Sequence, residues 1–264
     1  MIILNEKEYV LNMLAQENIE PSKIHSFLYL YARYLYQAKN LRKASIIREL
    51  DEFMREREPN YNPVDWAARL EKYAEVSGKY PLCQCHGIWV TAGELHRIKE
   101  IGDKVLERLA FTLLCLARFG NFRNPHNHNW VSYSNGEIYS MACINTTALE
   151  KDLKLAKLRE LGLIEYAKKI NNLGVQVLFM DESGKKELFL SDFRTLGYEW
   201  RVYQGENYIR CDGCGILTRK RKGTSKYCSA CRKQSDLEKT RQRVARHREK
   251  RNASQKNKSG RKPA

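Results

Sequence analysis

Residues 211–231 read CDGCGILTRKRKGTSKYCSAC and contain two Cys-x-x-Cys pairs, Cys211/Cys214 and Cys228/Cys231, separated by 13 residues. A two-residue gap lets a tight turn direct both thiolates of a pair at one point, and four thiolates in a tetrahedron are the ligands of a structural Zn²⁺. The only aliphatic pair between them is Ile216-Leu217. The pattern therefore predicts that metal binding supplies the folding free energy, typically ~10–16 kcal/mol in small zinc modules. Two unrelated pairs of reduced cysteines, or disulfides, are the alternative interpretation.

Positive charge is concentrated at the same end of the chain. Residues 210–264 carry 19 Lys and Arg against 4 Asp and Glu, whereas residues 1–209 carry 28 against 27. A nearly neutral body with one cationic end indicates a polyanion partner, with a solubility tail as the alternative. The basic residues that we expect to contact nucleic acid here are Arg219, Lys220, Arg221, Lys222, Arg241, Arg243, Arg246 and Arg248.

The eight cysteines of the chain are expected to be reduced. The first residues, MIILNEKE, lack the cationic start and the long apolar run of a secretion signal. No apolar stretch approaches the ~18 residues that a membrane span needs. In a reducing compartment, paired cysteines are metal ligands rather than disulfides. The sequence therefore predicts a soluble, cytoplasmic protein without a membrane partner.

Residues 1–100 are predicted to form a helical N-terminal domain. Apolar positions recur at helical spacing in segments 6–19, 22–36, 41–57 and 63–76. The second of these segments is apolar and aromatic nearly all round, which predicts the central helix of a bundle. A short strand at 88–90 follows. A helix is then expected from about residue 92, because Thr91 and Glu94 have the spacing of a capping box.

A second group of potential metal ligands lies at Cys83-Gln84-Cys85-His86, and a fourth ligand would come from His126 or His128. A single intervening residue constrains both sulfurs, so Cys-x-Cys is a poor zinc knuckle. Incidental buried thiols beside the short strand are the favoured interpretation. The loop at 121–129 resembles a His-Asn-His nuclease motif only superficially, since one tight loop cannot supply widely spaced ligands, and it is interpreted as a solvated loop.

Residues 103–190 carry the second interpretable pattern. We predict, in order, an apolar helix at 103–119, a strand at 130–132, a short helix at 137–143, a helix running from Asn145-Thr146-Thr147 to Gly162, and a hairpin at 163–180. This order resembles the winged helix-turn-helix family. The most characteristic piece is the stretch from Leu158 to Ile164, which resembles that family's exit from the recognition helix into the wing.

The resemblance implies that the recognition helix enters the major groove of DNA and that the hairpin touches the backbone or the minor groove. The residues that it would bring to nucleic acid are Thr146, Thr147, Glu150, Lys151, Lys154 and Lys157 on the helix, and Lys168 and Lys169 on the wing. Leu149, Leu153 and Ala156 form an adjoining apolar stripe. Because the face lacks the arginines that read guanine edges, a protein-interaction role is the alternative.

The remaining segments complete the predicted domain order. Residues 191–209 are expected to be an aromatic linker, residues 210–251 a zinc finger with a basic helix, and residues 252–264 a disordered basic tail. The knuckles and the basic loop resemble a treble-clef or zinc-ribbon finger. With the Phe-Arg-x-Leu-Gly-Tyr stretch at 193–198, the order of parts resembles uncharacterised proteins of bacteriophages and mobile elements of Gram-positive bacteria. That resemblance implies no established activity.

The sequence thus predicts a mainly α protein: a helical N-terminal bundle, a winged helix-turn-helix (α+β) core, and a small four-cysteine finger with a basic helix. We expect a regulatory or replication-accessory protein that binds DNA. An adaptor or inhibitor of a nucleic-acid machine and an RNA binder are the alternatives. No enzyme is expected, because the chain lacks a complete phosphate-binding loop and the motifs of zinc proteases and serine hydrolases. A four-thiolate site also leaves no open coordination position.

Overall fold

The computed structural model describes residues 2–16, 19–167, 174–220 and 226–259, with the backbone alone described at 250–259. This described chain is mainly helical and carries three small sheets. Its helices are α1 (Glu6–Leu14), α2 (Ile24–Ala38), α3 (Lys43–Arg57), α4 (Pro63–Val76), α5 (Ala92–Lys99), α6 (Lys104–Arg123), α7 (Asn135–Met141), α8 (Ala148–Glu160), α9 (Leu196–Tyr203) and α10 (Ser229–Ser259). Its strands are β1 (Ile88–Thr91), β2 (Trp130–Val131), β3 (Ile164–Tyr166), β4 (Val175–Val177), β5 (Lys186–Leu190), β6 (Tyr208–Arg210) and β7 (Leu217–Arg219).

Helices α1 to α4 pack into an N-terminal bundle with α2 at its centre. Phe27 and Leu28 of α2 are fully buried, as are Ile46 and Leu50 of α3. The ring centroids of Phe27 and Phe53 lie 5.1 Å apart. Helix α2 was predicted to be the central helix of the bundle because its sequence is apolar nearly all round, and the structure confirms this position.

The ends of these helices follow local capping chemistry. Helix α4 has the predicted bounds because the Asn62 side chain accepts a hydrogen bond from the Val64 N–H and Pro63 occupies the first helical position. The prediction for α1 was too long, since the helix ends at Leu14 rather than at Ile19. Residues 17 and 18 lie outside the described chain.

Helix α6 is the centre of a second hydrophobic cluster, which extends to α9. Trp200 of α9 is buried against α6, and its ring centroid lies 5.3 Å from that of Phe111. The Trp200 indole N–H donates to the buried Glu107 carboxylate over 3.0 Å, and the Gln204 amide donates to the same oxygen over 2.8 Å. The segment predicted as a linker therefore contains a helix that is part of the core.

Strands β1 and β5 form an antiparallel ribbon that pairs Ile88 with Leu190 and Trp89 with Phe189. Strand β1 was predicted, but β5 was not. The sequence of β5 gives a weak pattern, because its pairing partner lies about a hundred positions away and most of its residues stay accessible to solvent. The ribbon joins residues from both sides of the boundary predicted at 100–103.

A three-stranded sheet with the order β2-β4-β3 follows α6, with α7 and α8 inserted between β2 and β3. Both inserted helices begin with capping boxes, formed by Ser134 with Glu137 and by Thr147 with Glu150. Helix α8 therefore starts at Ala148, just after the threonine pair that the sequence singled out. The turn between β3 and β4, residues 168–173, lies outside the described chain.

The apolar face of α8 differs from the predicted stripe. The structure buries Leu155 and Leu158, whereas Leu149 and Leu153 are 70% and 59% exposed. The helix carries leucines on two sides, so its sequence alone did not decide which side faces the core. The side that meets α6 is the side of Leu155 and Leu158.

Two clusters of buried residues divide the described chain. The first runs from Val10 to Leu82, and the second contains Leu4 and runs from Cys85 to Trp200. They meet near residue 83, whereas the sequence-based division was placed at residues 100–103. Within the described ranges, no helix combines the length and apolar character needed to cross a membrane.

Candidate metal centre and nucleic-acid interface

The cysteine pairs are positioned by two different elements. Cys211 and Cys214 belong to the turn of the β6–β7 hairpin, where the Cys211 N–H donates to the Ile216 carbonyl over 2.9 Å. The Gly215 N–H donates back to the Cys211 carbonyl, and Gly215 has a φ of 71°, a left-handed conformation that favours glycine. The second pair lies at the start of α10.

The four sulfur atoms of Cys211, Cys214, Cys228 and Cys231 all lie within 4.8 Å of one another. The Cys214 and Cys228 Sγ atoms are 3.8 Å apart. Zn–S bonds of ~2.3 Å in a tetrahedron give an S···S edge of about 3.8 Å. The donor set and its spacing thus fit a tetrahedral metal ion, and the predicted ligand cysteines are brought together.

Backbone amides surround these sulfurs. The Cys228 N–H donates to the Cys211 Sγ over 3.2 Å. Burial opposes ionisation of Cys211, but N–H groups of Cys228, Gly213 and Cys214 outweigh it and lower its pKa to about 6. Hydrogen bonds to the other three sulfurs raise the pKa of Cys231 to about 12. Four thiols that hydrogen-bond to one another in this way can bind a metal cation once they are deprotonated.

The finger has almost no apolar core. Between residues 210 and 249, the buried hydrophobic side chains of the described chain are Cys211 and Leu217. A hairpin of two three-residue strands is marginal in water without further packing. Binding of a metal ion by the four cysteines would therefore be the main source of stability available to this module.

Arg194 links the finger to the body, a contact that the sequence analysis did not predict. Its guanidinium donates to the Cys214 carbonyl over 2.9 Å and pairs with the Asp192 carboxylate over 2.7 Å. A second link joins Arg210 to Glu199 of α9 over 3.0 Å. The only hint in the sequence was the Phe-Arg-x-Leu-Gly-Tyr stretch, whose arginine is Arg194.

The basic residues predicted to contact nucleic acid lie at the finger's surface. Arg219 and Lys220 are exposed at the end of β7. On α10, the predicted and exposed residues are Arg241, Arg243, Arg246 and Arg248. Arg221 and Lys222 fall outside the described residues. The structure thus presents six of these eight side chains to solvent, two on the finger hairpin and four along α10.

The residues predicted on the recognition helix have local partners. Thr147 caps α8, and the Glu150 carboxylate accepts from the Thr147 N–H and from the Thr146 hydroxyl. The Lys151 ammonium lies 5.5 Å from the ring centroid of Tyr139. Lys157 pairs with Glu160 over 2.9 Å, and Lys154 is half-buried. Lys168 and Lys169 lie outside the described residues.

The second group of potential ligands does not form a cluster. Within the described ranges, the four finger cysteines are the one group of three or more His, Cys, Asp or Glu residues whose ligand atoms converge. Cys85 is buried, and its thiol donates to the Gly87 carbonyl over 3.5 Å. Burial raises the pKa of both Cys83 and Cys85. These thiols have the surroundings of buried core cysteines.

Comparisons with protein-family models, curated proteins and solved structures gave no match for this chain. The winged-helix and phage resemblances therefore stay predictions. What the geometry itself provides is a four-cysteine cluster able to hold a metal ion, beside an exposed basic helix.

Proposed function

We propose that the chain is a nucleic-acid-binding protein, with DNA as its main target, in a regulatory or replication-accessory role of a phage or mobile element. The observation that carries this proposal is α10, a helix whose described basic side chains are exposed and which begins at the four-cysteine cluster. A cationic helix without a hydrophobic face has little to bury in a protein core. Its charge instead suits the phosphate backbone.

We propose Zn²⁺ as the metal of the cluster. Four thiolates in a closed tetrahedral set are typical of structural zinc, and such a site leaves no position for a substrate. A cytoplasmic setting agrees with this choice, because reduced thiols persist there. The metal's role is then to fix the start of α10 against the hairpin rather than to take part in a reaction, so we propose no enzymatic activity.

The cations of α10 lie on two sides of the helix. At 3.6 residues per turn, Lys239, Arg243 and Arg246 share one side, and Arg241 and Arg248 lie close to the opposite side. A helix seated in a DNA groove has a phosphate strand on each side. This distribution therefore lets one helix neutralise phosphates on both strands.

We further propose that α6 to β4 act as a winged helix-turn-helix module that sets register on the nucleic acid. The order α6, β2, α7, α8, β3, β4 and the sheet order β2-β4-β3 support this proposal. The contribution of α8 would be modest, since its capping residues and lysines have partners within the protein. Phosphate contacts from α10 would supply most of the affinity and positioning.

The test compares two charge-reducing variants in binding to duplex DNA. The first replaces the four α10 arginines, Arg241, Arg243, Arg246 and Arg248, by alanine. The matched control replaces four exposed cations of the body, Lys39, Lys72, Arg97 and Lys99. At ~0.9 per neutralised phosphate, the α10 variant should flatten the slope of log K against log salt by up to about 3.6. Equal slopes in the two variants would contradict the proposal.

The same titration separates DNA from RNA. Duplex DNA should compete more strongly than a single-stranded RNA of equal length for the full chain. The opposite order would support the RNA-binding alternative, because basic and aromatic segments also suit single-stranded RNA.

A protein adaptor is the second candidate function, and α8 supplies the observation in its favour. Leu149 and Leu153 lie exposed on one side of the helix, where a duplex-reading face would carry polar side chains. A partner captured after nuclease treatment, and lost when both leucines become aspartate, would support this function. Val64→Asp is the control, since Val64 of α4 is 83% exposed.

A further inference from the structure

An open cleft of about 910 Å³ lies between the β1–β5 ribbon, the C-terminal end of α6 and the loop that follows α6. It is separate from the cysteine cluster and from α10. Aromatic rings, amide side chains and cations line it, and Glu182 is the one carboxylate among its described lining residues. This chemistry differs from that of the rest of the body, where acidic and basic residues balance.

Trp89 lines one wall of the cleft, and its ring packs against that of Phe189. Trp89 and Phe189 are cross-strand partners, 42% and 44% exposed, with ring centroids 5.0 Å apart. The Phe189 ring lies directly against the backbone of Gly87, where a Cβ atom would come within 2.4 Å of it. The Trp89 ring therefore has an aromatic neighbour on one side while it stays accessible to solvent.

Another wall is formed by the last turn of α6. Phe122 points outward there and is 55% exposed. Large aromatic side chains exposed on two walls of one cleft are unusual on a monomer surface and mark a binding surface more often than scattered exposed residues do. Flat rings with fixed orientation suit a flat ligand.

The loop at one end of the cleft is mostly exposed to solvent, as its interpretation as a solvated loop predicts, and side-chain hydrogen bonds organise it. The Asn121 amide donates to the Asn129 side chain over 2.7 Å, and its oxygen accepts from the Asn129 N–H and from Asn127. This network holds His128 and Asn129 at φ values of 50° and 64°. Two consecutive non-glycine residues in the left-handed region are uncommon, and such strain clusters at binding sites.

Hydrogen-bond donors and charged side chains of both signs complete the lining. Arg118 is held by Glu94 over 2.7 Å and by the Asp181 carbonyl over 2.9 Å, while its Nε is buried with no partner among the described residues. Lys186 and the exposed His128 add donors at the rim. Arg118 is neutralised by Glu94 and Lys186 is offset by Glu182, so exposed aromatic rings rather than net charge distinguish the cleft.

We propose that this cleft binds single-stranded nucleic acid, with unpaired bases stacked on Trp89 and Phe122 and the strand's phosphates near Lys186 and His128. Stacking on aromatic side chains is sequence-tolerant, because every base has a π-face. The proposal rests on the nucleic-acid-binding function above and extends it. The body would then bind a single strand while α10 binds a neighbouring duplex.

The experiment uses the full chain and two short strands of equal length and charge, one with bases and one built from abasic residues. Unmodified protein should bind the base-bearing strand about 5- to 150-fold more tightly, the effect expected for one stacked base. Deoxyribose and ribose versions are run in parallel to distinguish DNA from RNA as the source of the strand.

Variants then assign the preference to the cleft. The double variant Trp89→Ala, Phe122→Ala should reduce the ratio of the two affinities to near one, whereas Trp89→Phe should keep most of it. Tyr80→Ala is the control, because Tyr80 is a 56% exposed aromatic residue outside the cleft. None of these changes should alter the salt dependence of duplex binding, which belongs to α10. Thermal unfolding of each variant checks that it is folded.

Three outcomes overturn the inference. Equal affinity of the unmodified protein for both strands excludes base stacking. A preference that survives in the double variant places the bases elsewhere. In both cases duplex binding through α10 remains, and the proposed function stands. Failure to bind any strand or duplex removes the proposed function together with the inference.

Discussion

Helices α6 and α10 are the two longest helices of the described chain, and they are held in opposite ways. Twelve of the 20 residues of α6 are buried, including Leu109, Leu113 and Leu116. Helix α10 spans 31 residues, yet its Leu237 and Val244 are 53% and 44% exposed. One helix is stabilised by tertiary packing, and the other by its attachment to the four-cysteine cluster and by its own hydrogen bonds.

The burial of α6 and the exposure of α10 indicate that the two ends of the protein depend on different interactions. The body depends on apolar burial, so its stability should be insensitive to metal and to salt. The finger and α10 have no comparable core, so their order should depend on the metal and their function on ionic strength. Substitutions in the body and in the finger should therefore have different effects.

The largest effect is expected from breaking the cluster. Cys211→Ser removes a ligand, and because metal binding supplies ~10–16 kcal/mol in small zinc modules, the finger should lose its metal and unfold. Metal content and amide exchange of the β6–β7 hairpin measure this. Cys83→Ser is the control, since this half-buried thiol lies outside the cluster and should retain full metal content.

The body should remain folded in the Cys211→Ser protein. Protected amides of α6 and an unchanged main unfolding transition are the expected result. Collapse of the whole chain on ligand loss would show that the body depends on the finger, and the contrast between the two helices would fail.

The same substitution, leucine to alanine, can be compared in the two helices. Leu113 of α6 is fully buried, so Leu113→Ala should lower the free energy of unfolding by about 2–5 kcal/mol through lost burial and a new cavity. Leu237→Ala in α10 removes the same atoms from an exposed site and should change it by less than about 0.5 kcal/mol. Denaturant unfolding measures both. Similar values would indicate that α10 packs on the body in solution.

A smaller effect than that of Leu113→Ala is expected from a change in helix propensity. Ala245 of α10 is exposed, so Ala245→Gly should cost about 1 kcal/mol of local helix stability. Circular dichroism should show less helix while the main melting temperature stays unchanged. Ala117→Gly in α6 should lower that temperature, because Ala117 is fully buried in the cooperative core. A lower melting temperature for Ala245→Gly would contradict the independence of α10.

Local chemistry in the sequence predicted part of the fold well. The capping box at Thr91, the N-cap residues at 145–147 and the Pro63 start of α4 place three helix ends within a residue or two of their position. These features depend on residues at most four positions apart. The cysteine cluster was equally predictable, because each pair carries its geometry in its two-residue spacing.

Long-range features were not predictable in the same way. The pairing of Trp89 with Phe189 joins residues a hundred positions apart, and nothing local in β5 indicates its partner. The buried side of α8 was misjudged because its leucines lie on two sides, and only contact with α6 selects Leu155 and Leu158. The Arg194 link to the Cys214 carbonyl depends on the docked finger and was missed for the same reason.

The most direct test of the central claim is the salt dependence of duplex DNA binding by the metal-loaded full chain. The account predicts binding at ~50 mM salt that weakens steeply, with log K falling linearly against log salt by ~0.9 for each phosphate neutralised. A log K that does not change with salt concentration, or no binding at low salt, would contradict the claim that a metal-anchored basic helix binds nucleic acid.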